Sequence, residues 1–263
     1  FDRTRVGVGQ PVKMSFALPA SVSSDVSKTE YSFNLGGIAD LPVEAENNVC
    51  SYTYAFKEAG TYTVSFKVRY QFNYPDAEGK IYRDDVIQKE LQVVACDVRN
   101  SFWGDNLEET QRNCGGVLEK QKGDAELYAA VLKSEFGSSL TGGKETTVGY
   151  TFKSDKLYKV QEVNLFETQV PFTIMRQYYK DIKKVYGETL EINWSDDTEK
   201  NNEYAEACLN GSDKAALDAL NAFLVETEGW ASFNFEKGST MMVVQCYKSD
   251  GKWVVRRTYM EKE

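Results

Sequence analysis

The chain contains 263 residues, of which 41% are hydrophobic and 13% aromatic, and this share of apolar side chains excludes an intrinsically disordered protein. Its 40 acidic and 31 basic residues give a net charge of -9, which opposes binding to nucleic acid or to anionic lipid. The sequence contains no His, which excludes Ser-His and Cys-His catalysis and metal sites built on imidazole. We therefore expect a globular protein of one or two domains without a nucleic-acid partner.

The cysteines are too sparse for a disulfide scaffold and form no Cys-x-x-Cys pair. They are Cys50, Cys96, Cys114, Cys208 and Cys246. We expect buried thiols and no zinc or redox centre, with the odd thiol unpaired or paired between molecules. The sequence contains no run of about 18 apolar residues, so we predict no transmembrane segment. We expect a trimmed mature chain, so that an export signal or a lipid anchor would lie upstream of Phe1.

Alternation of apolar and polar residues predicts strands through most of residues 1–98, since period two is typical of a half-buried strand. The clearest segments are Val12–Leu18, Tyr52–Phe56, Tyr62–Tyr74 and Ile87–Val93. Turn residues at Pro75–Gly79 predict that the last two segments form an extended hairpin. Short strands with turns between them favour an antiparallel β-sandwich.

Within this region, the segment Tyr52–Val64, which contains Lys57-Glu58-Ala59-Gly60-Thr61-Tyr62, resembles the central signature of polycystic-kidney-disease (PKD) domains. The resemblance implies that residues 1–98 form an all-β immunoglobulin-like sandwich of an extracellular protein, serving as a spacer or adhesion module. Gly60 permits a tight turn into the strand, and the hydroxyl of Tyr62 is expected to pin the corner.

A second pattern begins after residue 98. Asn106 is expected to cap a helix, with Glu109 reaching back in a capping box. Leu127–Glu135 fits either a helix or a strand, and we favour a strand because a hairpin follows. That hairpin is predicted from Thr147–Phe152 and Leu157–Phe166, with Ser154-Asp155-Lys156 as its turn.

Two amphipathic helices and a terminal meander complete the second domain. The first helix, Pro171–Tyr186, places Ile174, Met175, Tyr178, Ile182 and Val185 on one stripe. The second is capped by Ser212 and directs Ala216, Leu217, Leu220, Phe223 and Leu224 to one side. Trp230–Phe235, Thr240–Tyr247 and Trp253–Tyr259 are the predicted strands of the meander. Residues 99–263 are thus predicted to be an α+β domain, an antiparallel sheet with helices on one face.

The elements Trp103-Gly104-Asp105, Tyr186-Gly187 and Trp194 give this second domain a further resemblance. It looks similar to uncharacterised bacterial extracytoplasmic α+β domains, for which no chemistry can be carried over. The two resemblances together imply an extracytoplasmic location, in the periplasm or at the cell surface of a Gram-negative bacterium.

Three polar segments suggest chemistry that their spacing does not support. Gly137–Lys144 lacks the spacing and the following helix of a phosphate loop, so we expect a hairpin loop. Asp196–Glu203 lacks the glycine of a helix-loop-helix calcium site, so we expect an acidic loop that starts a helix, with an irregular calcium site as the alternative. The acidic pairs Glu108-Glu109 and Asp84-Asp85 are expected to be solvated. We therefore assign no catalytic, cofactor-binding or metal-binding residue.

Aromatic residues provide the candidate binding surface. Trp194, Trp230 and Trp253 fit a core, whereas Trp103 lies at the domain junction. The strand Tyr62–Tyr74 would span roughly 40 Å, about twice a typical strand. Its end is predicted to project, so that Phe72, Tyr74 and Tyr82 pack against the second domain or a partner. The alternative is a bulged strand that curls over its own sandwich.

The leading functional hypothesis is a non-enzymatic extracytoplasmic binding or interaction protein whose ligand is a protein or a glycan. The alternative is a carboxylate-dependent hydrolase or a carbohydrate-processing accessory protein. The two hypotheses differ in one observable feature. A hydrolase needs a concave site with two converging acids of displaced pKa, whereas a binding protein needs an exposed aromatic or apolar patch.

Overall fold

The chain forms two compact units, Phe1–Cys96 and Asp97–Glu263, in a computed structural model, and both units are rich in β-strands. The structure describes residues 3–19, 22–37, 40–75, 77–124, 126–136, 138–141, 144–168, 172–188, 191–193, 197–210, 213–215, 218–219 and 230–262.

Unit 1 consists of two sheets. Its strands are β1 (Arg5–Gly7), β2 (Pro11–Ala17), β3 (Val26–Leu35), β4 (Leu41–Val43), β5 (Ala45–Glu46), β6 (Val49–Ala55), β7 (Gly60–Phe72) and β8 (Tyr82–Val94). The order β1-β8-β7-β3-β4 makes a five-stranded sheet, and β2-β6-β5 makes a three-stranded sheet. The pairing of β1 with β8 is parallel, and the other pairs are antiparallel.

The core of unit 1 lies between these two sheets. Val64, Phe66 and Val68 alternate with polar residues along β7 and are buried, as the period-two pattern predicts. Phe16 of the three-stranded sheet stacks on Phe66 with ring centroids 4.4 Å apart. The corner before β7 is pinned as predicted, because the Tyr62 hydroxyl donates a hydrogen bond to the Glu58 carbonyl at 3.0 Å.

The predicted hairpin of β7 and β8 is confirmed, but its bounds differ from the prediction. β7 ends at Phe72, so Tyr74 lies beyond the strand. β8 begins at Tyr82, earlier than the apolar alternation indicated, because Tyr82–Gln88 pair with β7 without being buried. β3 pairs with β7 as far as Phe72, which supports the long strand along its length.

Unit 2 consists of one large sheet and several helices. Its helices are α1 (Leu107–Asn113), α2 (Ser138–Thr141), α3 (Phe172–Tyr186) and α4 (Thr198–Asn210). Its strands are β9 (Glu119–Lys120), β10 (Leu127–Lys133), β11 (Glu145–Lys153), β12 (Lys156–Phe166), β13 (Glu191–Asn193), β14 (Trp230–Lys237), β15 (Thr240–Ser249) and β16 (Lys252–Glu261). The eight strands are antiparallel, in the order β13-β14-β15-β16-β12-β11-β10-β9.

One face of this sheet is buried beneath helices. Cross-strand neighbours define a row of buried residues on that face, namely Phe233, Val244, Arg257, Glu162, Val148 and Ala130. The ring centroid of Tyr179 in α3 lies 4.0 Å from that of Phe233, and the ring centroid of Tyr204 in α4 lies 5.7 Å from that of Phe233. Helices α3 and α4 therefore cover the sheet from one side.

Most local predictions for unit 2 are confirmed. Asn106 and Glu109 form the predicted capping box, and β10 is a strand. The hairpin of β11 and β12 and the terminal meander are both present. Asp250 and Gly251 have positive φ values of 51° and 77°, as the predicted tight turn requires.

Two details differ from the predictions. Val185 is 42% exposed, because α3 directs Tyr179 and Tyr186 towards the core in addition to Tyr178 and Ile182. The predicted loop at Gly137–Lys144 contains the one-turn helix α2. Of the helix predicted after Ser212, the described residues Lys214, Ala215, Asp218 and Ala219 are helical. Ser212 and the predicted apolar stripe of this helix lie outside the described residues, as do the side chains of Met175, Trp194 and Trp230.

Each unit has its own hydrophobic core, so we expect residues 1–98 expressed alone to fold. The fragment should show a β-type circular dichroism spectrum and a cooperative thermal transition. Limited proteolysis of the whole chain should cut between the units before it degrades either of them. A fragment that remains unfolded while the whole chain melts cooperatively would contradict this expectation.

Candidate functional site

The outer side of the five-stranded sheet, opposite the core of unit 1, carries an ordered set of charges. Lys28 and Glu30 of β3, Lys67 and Arg69 of β7, and Asp84 of β8 all project from this side, and we refer to them as the outer charged face. Glu30, Arg69 and Asp84 are direct cross-strand neighbours. Antiparallel pairing thus places a guanidinium between two carboxylates.

Ion pairs fix these side chains. Arg69 donates two hydrogen bonds to Asp84, from Nε and Nη2, each at 2.8 Å. Lys28 Nζ lies 2.6 Å from Glu30 Oε1, and the ammonium group of Lys67 pairs with the carboxylate of Asp40. The fork of the Arg69 guanidinium matches a carboxylate, which makes this pair the most directional of the three.

The ion pairs keep the carboxylates of this face ionised. The hydrogen bond from Arg69 lowers the pKa of Asp84. Hydrogen bonds from Lys67 and Asn34 lower the pKa of Asp40, and the hydrogen bond from Lys28 lowers the pKa of Glu30. A general acid that works near neutral pH needs the opposite shift. The arrangement therefore suits the binding of a polar ligand better than proton transfer.

A shallow groove of about 550 Å³ lies beside these charges, lined in part by Glu30, Asp40, Pro42, Lys67 and Arg69. Its floor is formed by β3 and β7, and its wall by the short strand β4 with Pro42. The lining combines both signs of charge with apolar surface, so a ligand in the groove would meet directional polar groups beside apolar ones.

Of the four residues predicted to form a binding surface, three lie at the end of the β7–β8 hairpin. Tyr74 is 79% exposed and Tyr82 is 49% exposed, whereas Phe72 is half-buried. Tyr82 lies across from Gln71, which in turn pairs with Lys28, so its ring borders the outer charged face. An exposed aromatic ring thus stands beside the charged side chains and the groove.

Trp103, the fourth predicted residue, has a structural role in unit 2. Its indole nitrogen donates a hydrogen bond to Thr240 Oγ1 at 3.0 Å, and its ring packs against the core. Its backbone N–H donates to Asp97 at 3.2 Å. The hydrogen-bonded, half-buried Trp103 offers little surface to a ligand.

The largest buried electrostatic feature was not predicted. Arg257 and Glu162 are fully buried and form an ion pair in the centre of the large sheet. Glu162 also accepts hydrogen bonds from Arg99, at 3.0 Å, and from Ser134. Arg257 donates to the Tyr178 hydroxyl at 2.9 Å. We call these five residues the Arg257 network.

Aromatic rings surround the Arg257 guanidinium. Its central carbon lies 4.7 Å from the ring centroid of Phe136, 5.5 Å from that of Tyr259 and 5.7 Å from that of Tyr178. Burial alone would lower the pKa of Arg257, but Tyr178, Tyr259 and Glu162 outweigh this effect and raise it. The charge therefore persists inside the core, held by its ion pair and by cation–π contacts.

The Arg257 network does not have the arrangement of a hydrolase site. Glu162 is engaged by two guanidinium groups and a hydroxyl, and it is sealed from solvent. The sequence offered one signal of this network. Along their strands, Glu162 and Arg257 occupy positions at which the period-two pattern predicts an apolar residue, on the same face as Val160 and Tyr259.

Three of the four described thiols, those of Cys50, Cys114 and Cys246, are buried as predicted, whereas Cys96 is only half-buried. Burial raises the pKa of Cys246 to about 12 and also raises that of Cys50. Across the described residues, no group of three or more Cys, Asp and Glu side chains is arranged to hold a metal ion. In the acidic loop, Asp197 accepts hydrogen bonds from the backbone N–H groups of Glu199 and Lys200 at the start of α4, as the helix-starting interpretation predicted.

Comparison of the chain with protein-family models, with curated proteins and with solved structures finds no significant match in any of the three. No helix in the described part of the chain is long and apolar enough to cross a membrane.

Removing the carboxylate of the Arg257 network should destabilise unit 2 strongly. We expect Glu162→Ala to lower the free energy of unfolding by about 3 to 5 kcal/mol, because it leaves a buried guanidinium without its counter-charge. The double variant Glu162→Leu with Arg257→Met should lose less than the single variant, since it removes both charges. Denaturant titration measures both values, with Glu145→Ala at an exposed position as the control. A single variant as stable as this control would contradict the assignment.

The Arg257 network should also make unit 2 sensitive to alkali. Burial raises the pKa of Tyr178 to about 12, above its ordinary value of 10.0, so folding favours the protonated hydroxyl. This stabilisation is complete below pH 10 and is lost as the pH rises through about 12. Tyr178→Phe should reduce the slope of stability against pH in this window. It should also cost about 1.5 to 3 kcal/mol at neutral pH, because the hydrogen bond to Arg257 is lost. Tyrosinate absorbance and denaturant titration test both effects, and an unchanged slope would contradict them.

Proposed function

We propose that this protein is a non-enzymatic, extracytoplasmic binding protein whose ligand, a glycan or a protein, docks on the outer charged face beside Tyr82. The observation that carries the proposal is the exposed ring of Tyr82 at the border of an ion-paired polar groove. An aromatic ring can stack on a sugar ring or on an apolar side chain. Fixed charges then supply hydrogen bonds of defined direction.

The architecture of unit 1 supports an immunoglobulin-like sandwich with a PKD-like character. The second, fifth and sixth strands form one sheet, while the third, seventh and eighth lie in the other, which matches the strand distribution of immunoglobulin folds. The hydrogen bond from Tyr62 to the Glu58 carbonyl corresponds to the tyrosine corner of those folds. Domains of this type serve as spacers and adhesion modules at cell surfaces, and we propose the same location here.

The α+β domain is proposed to act as the second module of the same binding protein. Its interior charges serve the core, as the Arg257 network illustrates. A carboxylate-dependent hydrolase is the less supported alternative. The pKa values of Glu30, Asp40 and Asp84 are all lowered, whereas the general acid of a hydrolase needs a raised pKa.

The proposal is tested by screening the full chain on glycan and protein arrays and then measuring the affinity of Tyr82→Ala for each ligand found. We expect binding to weaken by about tenfold, corresponding to the loss of one stacking contact. The matched control is Tyr158→Ala, which removes an exposed tyrosine from a strand of unit 2. A ligand that binds equally well to both variants would show that the outer charged face is not the site.

A further inference from the structure

β8 has an open edge along most of its length. β1 pairs only with Gln92–Val94 of β8, and the described residues include no other strand on this side of Tyr82–Glu90. Unpaired strand edges are the sites where sheets recruit further strands. The three-stranded sheet leaves these residues uncovered, and each of them is exposed.

The backbone groups on this edge can be identified from their neighbours. Gln92 N–H donates to the Thr4 carbonyl, and the carbonyl of Val94 accepts from Val8, so even-numbered residues of β8 point away from β7. Alternation then directs the N–H and C=O groups of Asp84, Val86, Gln88 and Glu90 to the open side. A new strand can therefore pair along this segment but no further than Glu90, since Gln92 is already engaged.

Apolar side chains stand in the middle of the open edge. Val86 and Ile87 are each 50% exposed, Val86 on the outer side of the sheet and Ile87 on the core side. Charged residues flank them on both sides, with Asp85 before them and Lys89 after them. An apolar centre with opposite charges at its two ends is complementary to an antiparallel copy of itself.

We propose that β8 pairs antiparallel with β8 of a second copy of this chain, with Ile87 opposite Ile87, to form a two-fold symmetric dimer. The pairing would join two five-stranded sheets edge to edge. It goes beyond the proposed function, because it concerns backbone pairing at the edge of the sheet rather than ligand contacts on its outer face.

The register follows from symmetry and charge. A two-fold axis perpendicular to the sheet keeps every side chain on its own side, so residues of equal parity must meet. With Ile87 at the centre, Asp85 of each copy lies opposite Lys89 of the other, which gives two ion pairs. A register centred on Val86 would instead place Arg83 opposite Lys89, a like-charge contact on both sides of the axis. Arg83 is itself paired with Asp85 of its own copy at 3.1 Å, which softens this contact. The register centred on Ile87 is favoured because it brings Asp85 opposite Lys89, which registers centred on Val86 or on Gln88 do not.

The selected register also pairs the backbone N–H and C=O groups of the open edge with each other. Val86 meets Gln88 and Asp84 meets Glu90, and all four carry their backbone groups on the open edge, so they form the hydrogen-bonded pairs. The meeting of Asp84 with Glu90 is tolerated because Arg69 already neutralises Asp84 through two hydrogen bonds. Ile87, Asp85 and Lys89 occupy the non-hydrogen-bonded pairs, where side chains approach more closely.

Sedimentation equilibrium of the full chain tests the dimer. We expect a reversible dimer with a Kd on the order of 100 µM, since a single pair of strand edges buries less area than a standard interface. Asp85→Lys and Lys89→Asp should each weaken the dimer about tenfold, because each places two like charges opposite each other at two symmetric sites. The double variant Asp85→Lys with Lys89→Asp should restore the affinity of the original chain.

One variant that should strengthen the dimer and one control variant complete the experiment. Glu90→Lys should strengthen the dimer, because the new ammonium faces Asp84 of the other copy. Lys153→Asp, at an exposed position of unit 2, should leave the Kd unchanged. The proposal is overturned if the chain stays monomeric up to about 1 mM, or if the double variant associates no better than the single ones.

Discussion

The pairing of Arg257 with Glu162 is the constraint on which the arrangement of unit 2 depends. The two residues face each other across β12 and β16, at the centre of the eight-stranded sheet. A shift of either strand by two residues would keep its apolar side chains on the same side of the sheet but would separate the two charges. A buried ion of either sign without its partner costs more than a lost apolar contact. The pair therefore defines one register among several that apolar side chains alone would permit.

Tyr178 extends this constraint from the sheet to the helical layer. Its hydroxyl accepts a hydrogen bond from Arg257, while the adjacent Tyr179 packs on Phe233 of β14. The two neighbouring tyrosines thus attach α3 to strands on either side of β15. Arg99, which follows the short connection between the units, adds a second cation to Glu162. Its positive φ of 51° directs the side chain towards that carboxylate at a conformation unusual for a residue other than glycine.

The sequence predicted the local structure well, because most strands are buried on one side only. The alternation of Val64, Phe66 and Val68 with polar residues predicts which side of β7 faces the core. The capping pair Asn106 and Glu109 predicts where α1 begins. The Arg257 network could not be predicted in the same way. Its two central charges are far apart in the chain, and only the pairing of β12 with β16 buries them. Likewise, the exposure of β8 depends on the narrowness of the opposite sheet, which no local pattern of residues encodes.

The order of the strands has a consequence for biosynthesis. Every residue of unit 1 precedes unit 2 in the chain, so the two sheets of unit 1 can close while unit 2 is still being made. Unit 2 is different, because β12 is flanked by β11 and by the C-terminal strand β16. Glu162 is synthesised 95 residues before Arg257, the residue that neutralises it. Nascent unit 2 therefore holds an incomplete sheet with an open edge at β12 until β16 has been synthesised, and this is the interval in which a chaperone would be of most use to it.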